Sequence, residues 1–136
     1  MKIRKYYPQD KHALINLWQT VFPNDPPYNN PDQVIQEKLK TDDLIFIAEA
    51  DDKLIGACMA GYDGHRGWLY AVAVLPEYRR SKAGTRLVEE AIATLKEIGC
   101  AKVNLQIRST NHEVADFYKS LGFTTEDRLS MGKLLI

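Results

Sequence analysis

The sequence predicts a single domain of the α/β (α+β) class spanning residues 1–136, with a mixed central sheet of six to seven strands and about four helices. Length carries the domain count, because 136 residues supply one hydrophobic core. The order of periodicities carries the class. It reads β-α-α-β-β-β-α-β-α-β, with room for one more strand at the end. Hairpins sit early and a strand-helix-strand crossover sits late, so one sheet must hold antiparallel and parallel neighbours.

Each element has a local reason. Ile3 to Tyr7 reads as a short strand. Asp10 is placed as the N-cap of a first helix, whose Leu14, Leu17, Trp18 and Val21 recur at helical spacing. Pro26-Pro27 and the surrounding Asn residues make a loop. Asn30 then caps a second helix, with Pro31 in its first position and Gln33 placed to close a capping box. That helix runs to about Lys40 and turns Val34, Ile35 and Leu39 inward. Leu44 to Ala50 and Leu54 to Tyr62 form a hairpin around Asp51-Asp52-Lys53. A turn at 63–67 leads to a strand from Trp68 to Leu75, stopped by Pro76.

Thr85 to Ile98 is the clearest helix. Leu87, Val88, Ala91, Ile92, Leu95 and Ile98 make one apolar face, and Gly99 ends it. Lys102 to Arg108 alternates as a strand, Asn111 caps a last helix that stops at Gly122, and Phe123 to Ile136 holds one or two closing strands.

Charge narrows the function. Lys plus Arg equals Asp plus Glu at 18 each, so the basic excess of a nucleic-acid binder is missing. No apolar run is long enough to span a bilayer, and no apolar stretch comes after the basic start Lys2 to Lys5, so neither membrane nor export is expected. Cys58 and Cys100 stand far apart outside any CxxC pair, which gives no support to a metal site or disulfide and favours a cytoplasmic setting.

The most informative stretch runs from Val72 to Leu87. A strand ends, a short basic loop comes next, and a strong helix begins. The first amides of a helix lack internal partners and the helix dipole is positive there, so such a loop suits a phosphate. Arg79, Arg80 and Lys82 add charge, Ser81 and Thr85 add hydroxyls, and Ala83 and Gly84 let a ligand approach the backbone. A solvated basic loop is the plainer reading of the same residues. Neither the GxxxxGK[ST] loop nor the GxGxxG turn of nucleotide-binding folds is present.

Arg79-x-x-Lys82-x-Gly84 resembles the pyrophosphate-binding motif [QR]-x-x-G-x-[GA] of the GNAT superfamily of N-acetyltransferases. Lys82 stands where the family usually has glycine; the expectation is a negative φ there, with only the side chain new. The run Asn111 to Phe123 looks like the family's N-x-x-A-x-x-[FL]-Y-x-x-x-G-F signature, and the hairpin Glu49 to Gly56 is similar to its early hairpin. The resemblance covers almost the whole chain and is closest to small bacterial stand-alone, YpeA-like members.

The resemblance implies acetyl-CoA as co-substrate, no metal, and direct attack by a primary amine of a small molecule or protein. It implies a splayed parallel strand pair, with backbone groups of Val72 and Val74 holding pantetheine, and the segment Arg79, Arg80, Ser81, Lys82, Ala83, Gly84 and Thr85 holding pyrophosphate. Tyr118 matches the acid that protonates the leaving thiolate, although its helical spacing with Val114, Phe117 and Leu121 also fits a core tyrosine. Asn111 caps its helix, contacts pantetheine, or does both. No acidic residue lies between Trp68 and Leu75, so Glu49, Asp63, His65 or a water chain remain open as general base. Cys58 reads as a buried structural thiol. Acceptor walls are expected from Tyr28, Tyr62, Arg66 and Trp68, with residues 24–28 as a lid. Beyond acetyl-CoA and the amine, a homodimer is the one assembly left open; no nucleic acid and no membrane are expected as partners. The rival reading is a non-catalytic acyl-CoA-binding or dimeric interaction domain of the same fold.

Overall fold

A computed structural model describes residues 1–136, which form two compact units, Met1–Leu105 and Gln106–Ile136. The first holds a five-stranded sheet in the order β1-β2-β3-β4-β5. Its strands are β1 (Lys2–Lys5), β2 (Ile45–Ala50), β3 (Lys53–Tyr62), β4 (Gly67–Val74) and β5 (Val103–Asn104). Its helices are α1 (Lys11–Val21), α2 (Pro31–Thr41) and α3 (Ala83–Glu97). The second unit is built on α4 (His112–Ser120).

The first four strands pair antiparallel with their neighbours, and β4 pairs parallel with β5. The mixed sheet and the four α-helices agree with the expectation; the strand count does not. There are five strands rather than six to seven. The alternation at Val103, Leu105 and Ile107 yields only the pairs Gly67 with Val103 and Trp68 with Asn104, and residues 123–136 form no ladder. A strand exists only where a neighbour supplies hydrogen bonds, which residue alternation alone cannot report.

One face of the sheet packs Ile45, Ile47, Ala57, Met59 and Ala73 against Leu14, Leu17, Trp18 and Ile35 of α1 and α2. Leu87 and Leu95 of α3 reach Gly56 of β3 and Gly67 of β4. Leu39 and Ile98, expected in these cores, are 45% and 50% exposed. Each sits in or just past its helix's last turn, where the apolar stripe has already rotated off the sheet.

Asn30 caps α2 as expected, its side-chain oxygen accepting from the N–H groups of Asp32 and Gln33. Asp10 does not cap α1. It is buried, accepts the Tyr7 N–H at 2.7 Å and pairs in a fork with Arg4 at 2.8 and 2.9 Å. The Arg4 guanidinium also reaches Glu49 at 3.1 Å and lies 4.9 Å from the Tyr7 ring centre. It thus ties β1, β2 and the entry to α1, and holds the Asp10 carboxyl below its ordinary range.

Candidate functional site

The candidate site is built on the second half of β4 and the loop that leads from it into α3. Two features set β4 apart. Its pairing with β5 covers only Gly67 and Trp68, leaving Leu69–Val74 without a β5 partner. Its ladder with β3 also slips: Ala57 faces Ala73 while Met59 faces Tyr70, so Ala71 and Val72 together oppose Cys58. This β-bulge puts Ala71 at φ 49°, with its carbonyl accepting the Trp18 indole N–H at 3.3 Å. Nothing in the run Tyr70-Ala71-Val72 signals a bulge, and the sequence reading missed it.

The bulge decides which way the backbone polar groups point. Leu75 donates its N–H to Ile55 of β3 at 2.8 Å. Backbone groups alternate along a strand, so those of Val74, and of Val72 before it, face away from β3. The Val74 carbonyl on that side accepts the Arg79 Nε–H at 3.4 Å. Arg79, first residue of the basic loop, therefore folds back on the strand that feeds it.

Pro76–Tyr78 forms a single 3-10 turn, and α3 starts after Lys82, whose carbonyl accepts the Arg86 N–H at 3.1 Å. The amides of Ala83, Gly84 and Thr85 are left without intrahelical acceptors. Arg79, Arg80 and Lys82 are exposed around them, while Ala83 is fully buried beneath. Ser81 is exposed as well, its hydroxyl donating back to the Tyr78 carbonyl. Lys82 corrects the expectation of a negative φ: it lies at φ 66°, ψ 19°, in the left-handed region that glycine occupies easily. The backbone path that the family's glycine allows is thus kept by a lysine, at a cost of about 1–2 kcal/mol.

In the second unit, the Asn111 side chain accepts the Val114 N–H at 3.4 Å and caps α4. The spacing Tyr118 to Gly122-Phe123 has a local cause. Gly122, at φ 93°, donates to the Lys119 carbonyl, and Phe123 donates to that of Tyr118. This is the Schellman closure of a helix, and it sets the Phe123 ring edge-on to Tyr118 at 5.5 Å, with Phe117 on another side at 5.0 Å. Gly99 ends α3 by the same pair of bonds. Tyr118 is buried and fixed in orientation, a placement compatible with either reading of it.

The remaining candidates are engaged elsewhere or lie apart. Glu49 is bound to Arg4. The backbone N–H groups of Arg66 and His65 hold the Asp63 carboxyl below the ordinary range, at 2.7 and 2.8 Å, which makes it a weak base. His65 is an exposed turn residue. Burial pushes the Cys58 thiol up to about 12, the behaviour of a structural cysteine. Tyr28 is 52% exposed beside α2.

A family model described as "Acetyltransferase (GNAT) family" matches residues 11–123. An acetyltransferase of Pectobacterium atrosepticum is 36% identical over 137 residues, covering 100% of this chain and 96% of that protein. One of Sodalis glossinidius is 36% identical over 138 residues with the same coverage. Among solved structures, the aminoglycoside N-acetyltransferase AAC(6')-Iy in complex with CoA superposes with a TM-score of 0.83 at 21% identity, over 99% of this chain and 95% of that one. The ribosomal-protein-S18-alanine N-acetyltransferase from Escherichia coli gives 0.79 at 23% identity, over 90% and 77%. At such identities these structures share the fold alone.

Proposed function

Because this chain belongs to the acetyltransferase (GNAT) family, we propose that it is an acetyl-CoA-dependent N-acetyltransferase, residues 1–136 acting as one domain, that moves the acetyl group directly from thioester to a primary amine. The observation that carries this reading is the continuity of β4 with the basic loop. Strand groups of Val72 and Val74 face away from β3, and the chain runs at once into a helix start with three unpaired amides and three exposed cationic side chains. An extended arm ending in a diphosphate matches that layout: the arm adds to the strand and the diphosphate meets the helix start.

In this reading the thioester carbonyl lies along the open edge of β4, where a backbone N–H stabilises the charge that develops on its oxygen. The neutral amine attacks the carbonyl carbon, the tetrahedral intermediate collapses, and the C–S bond breaks. The electron pair leaves on the CoA sulfur, Tyr118 supplies its proton, and the attacking nitrogen gives up its second proton, which returns through water to the phenolate. The amine arrives as ammonium and must first lose a proton. With Glu49 and Asp63 both engaged, His65 or water is the carrier. Asn111 serves first as the cap that starts the helix bearing Tyr118.

A screen of primary amines with detection of free CoA thiol tests the transfer. With an acceptor in hand, Tyr118→Phe keeps the aromatic packing and removes only the hydroxyl. The chemical step should slow about a hundredfold, the low end of general-acid effects, because a thiolate leaves readily. A wild-type rate where chemistry limits turnover would return Tyr118 to a purely structural place in its helix. Binding of acetyl-CoA without transfer to any amine would favour the non-catalytic alternative.

A further inference from the structure

The first half of β4 carries a surface that the acyl-donor site does not use. Trp68 and Tyr70, two residues apart, project from the same face of the sheet, and their partners across the ladder are Gly61 and Met59. Met59 belongs to the core beneath α1 and α2, so the pair lies on that face. Gly61 has no side chain, and the Tyr70 ring and the Lys38 ammonium lie over it: a Cβ there would stand 3.4 Å from that ring and 3.7 Å from Lys38 Nζ. Tyr70 is nevertheless 45% exposed, immediately before the bulge.

The rim of this surface is polar and fixed. The Asp63 carboxylate, two residues beyond Gly61 at the exit of β3, is held ionised by two backbone amides, those of Arg66 at 2.7 Å and His65 at 2.8 Å. Its charge reaches Tyr70, whose phenol is raised above its ordinary value mainly by burial and in part by Asp63. Of the cations beside it, Lys38 is paired with Asp42 at 2.8 Å and bonded to the Ala60 carbonyl, and the Arg66 guanidinium donates to the His65 carbonyl at 3.1 Å.

We infer that Trp68 and Tyr70, floored by Gly61 and edged by Asp63, form the acceptor platform of the transfer reaction and select small cationic amines over anionic ones. The inference rests on the acetyl-transfer reading, which places the thioester on the same strand beyond the bulge. Two aromatic faces with an ionised carboxylate at the edge attract an ammonium group and the aliphatic chain that bears it. A substrate carboxylate would meet Asp63 and be repelled.

The experiment uses the full chain saturated with CoA and three probes: cadaverine, tyramine and glutamate. Calorimetry should show both cationic amines binding and glutamate failing to bind. Tyr70→Ala should weaken the cationic amines about threefold to thirtyfold, the loss expected for one cation–π contact, while acetyl-CoA affinity moves less than twofold. Tyr70→Phe should restore most of the amine affinity, because the ring and not the hydroxyl makes the contact. Gly61→Leu, which fills the floor, should weaken the amines as Tyr70→Ala does. Equal amine affinity in Tyr70→Ala and wild type, preference for glutamate, or no amine binding to the wild type would each overturn the inference. Those outcomes leave acetyl-CoA binding intact. A wild-type chain that does not bind acetyl-CoA would instead defeat the transfer reading, and this inference with it.

Discussion

The two edges of β4 differ in kind. Toward β3 it is zipped from Gly67 to Val74 with one bulge, and small residues let the sheet and α3 close tightly over that seam. Toward β5 it is zipped only at Gly67 and Trp68. The contrast teaches where this fold stores stability and where it leaves backbone groups available. A closed edge contributes to the core and tolerates little change in volume. An open edge next to a helix start can receive a ligand that completes the ladder.

The largest effect should come from the closed edge. A Cβ at Gly56 would stand 2.9 Å from the Ala73 carbonyl oxygen of β4 and 3.2 Å from Leu87 of α3. The first neighbour is backbone and cannot step aside. Gly56→Val should therefore destabilise by about 1–3 kcal/mol or more, the cost of overpacking, read as a clear fall in urea midpoint. An unchanged midpoint would show that this seam is looser than its distances say.

The second test belongs to the loop beyond the open edge. Lys82 sits at φ 66°, a conformation that costs lysine about 1–2 kcal/mol. Lys82→Gly removes that strain but frees the unfolded chain, so the net gain should be about 0.5–1 kcal/mol. The thermal midpoint should rise by a few degrees while acetyl-CoA binding persists. A loss of stability would mean that the lysine is held by contacts that outweigh its backbone strain.

The smallest effect should come from the hairpin before β3. Asp51 and Asp52 stand at φ 52° and 60°, the backbone of a two-residue turn with both central positions left-handed. Aspartate tolerates that region better than lysine does, so less strain is stored there. Asp52→Gly should add only a few tenths of a kcal/mol, with no change in ligand affinity. A gain as large as that of Lys82→Gly would erase the difference drawn between the two sites.

The elements defined by their own residues are legible in the sequence. Helix α3, expected from Thr85 to Ile98, runs Ala83–Glu97, because its apolar stripe and Gly99 are local signals. The hairpin of β2 and β3, the Asn30 cap and the Gly122 stop are readable for the same reason. Features that depend on distant partners are not readable. The length of β5 is set by how far β4 stays alongside it, and the bulge at Ala71–Val72 by a mismatch with β3. The sign of φ at Lys82 escapes the sequence because lysine masks a requirement that glycine would have announced. The Arg79 bond to Val74 needs the loop path, which only the fold supplies.

Calorimetric titration of acetyl-CoA into the wild-type chain and Arg79→Glu tests the central claim most directly. Arg79 lies on the surface, apart from its bond to the Val74 carbonyl. Its replacement should leave the fold stable to within about 0.5 kcal/mol, as surface changes usually do. The account predicts saturable binding of one acetyl-CoA per chain, weakened at least about tenfold when a carboxylate replaces the guanidinium beside the diphosphate, a loss of roughly 1.4 kcal/mol or more. Equal affinity in the two proteins, or no binding by the wild type, would contradict it.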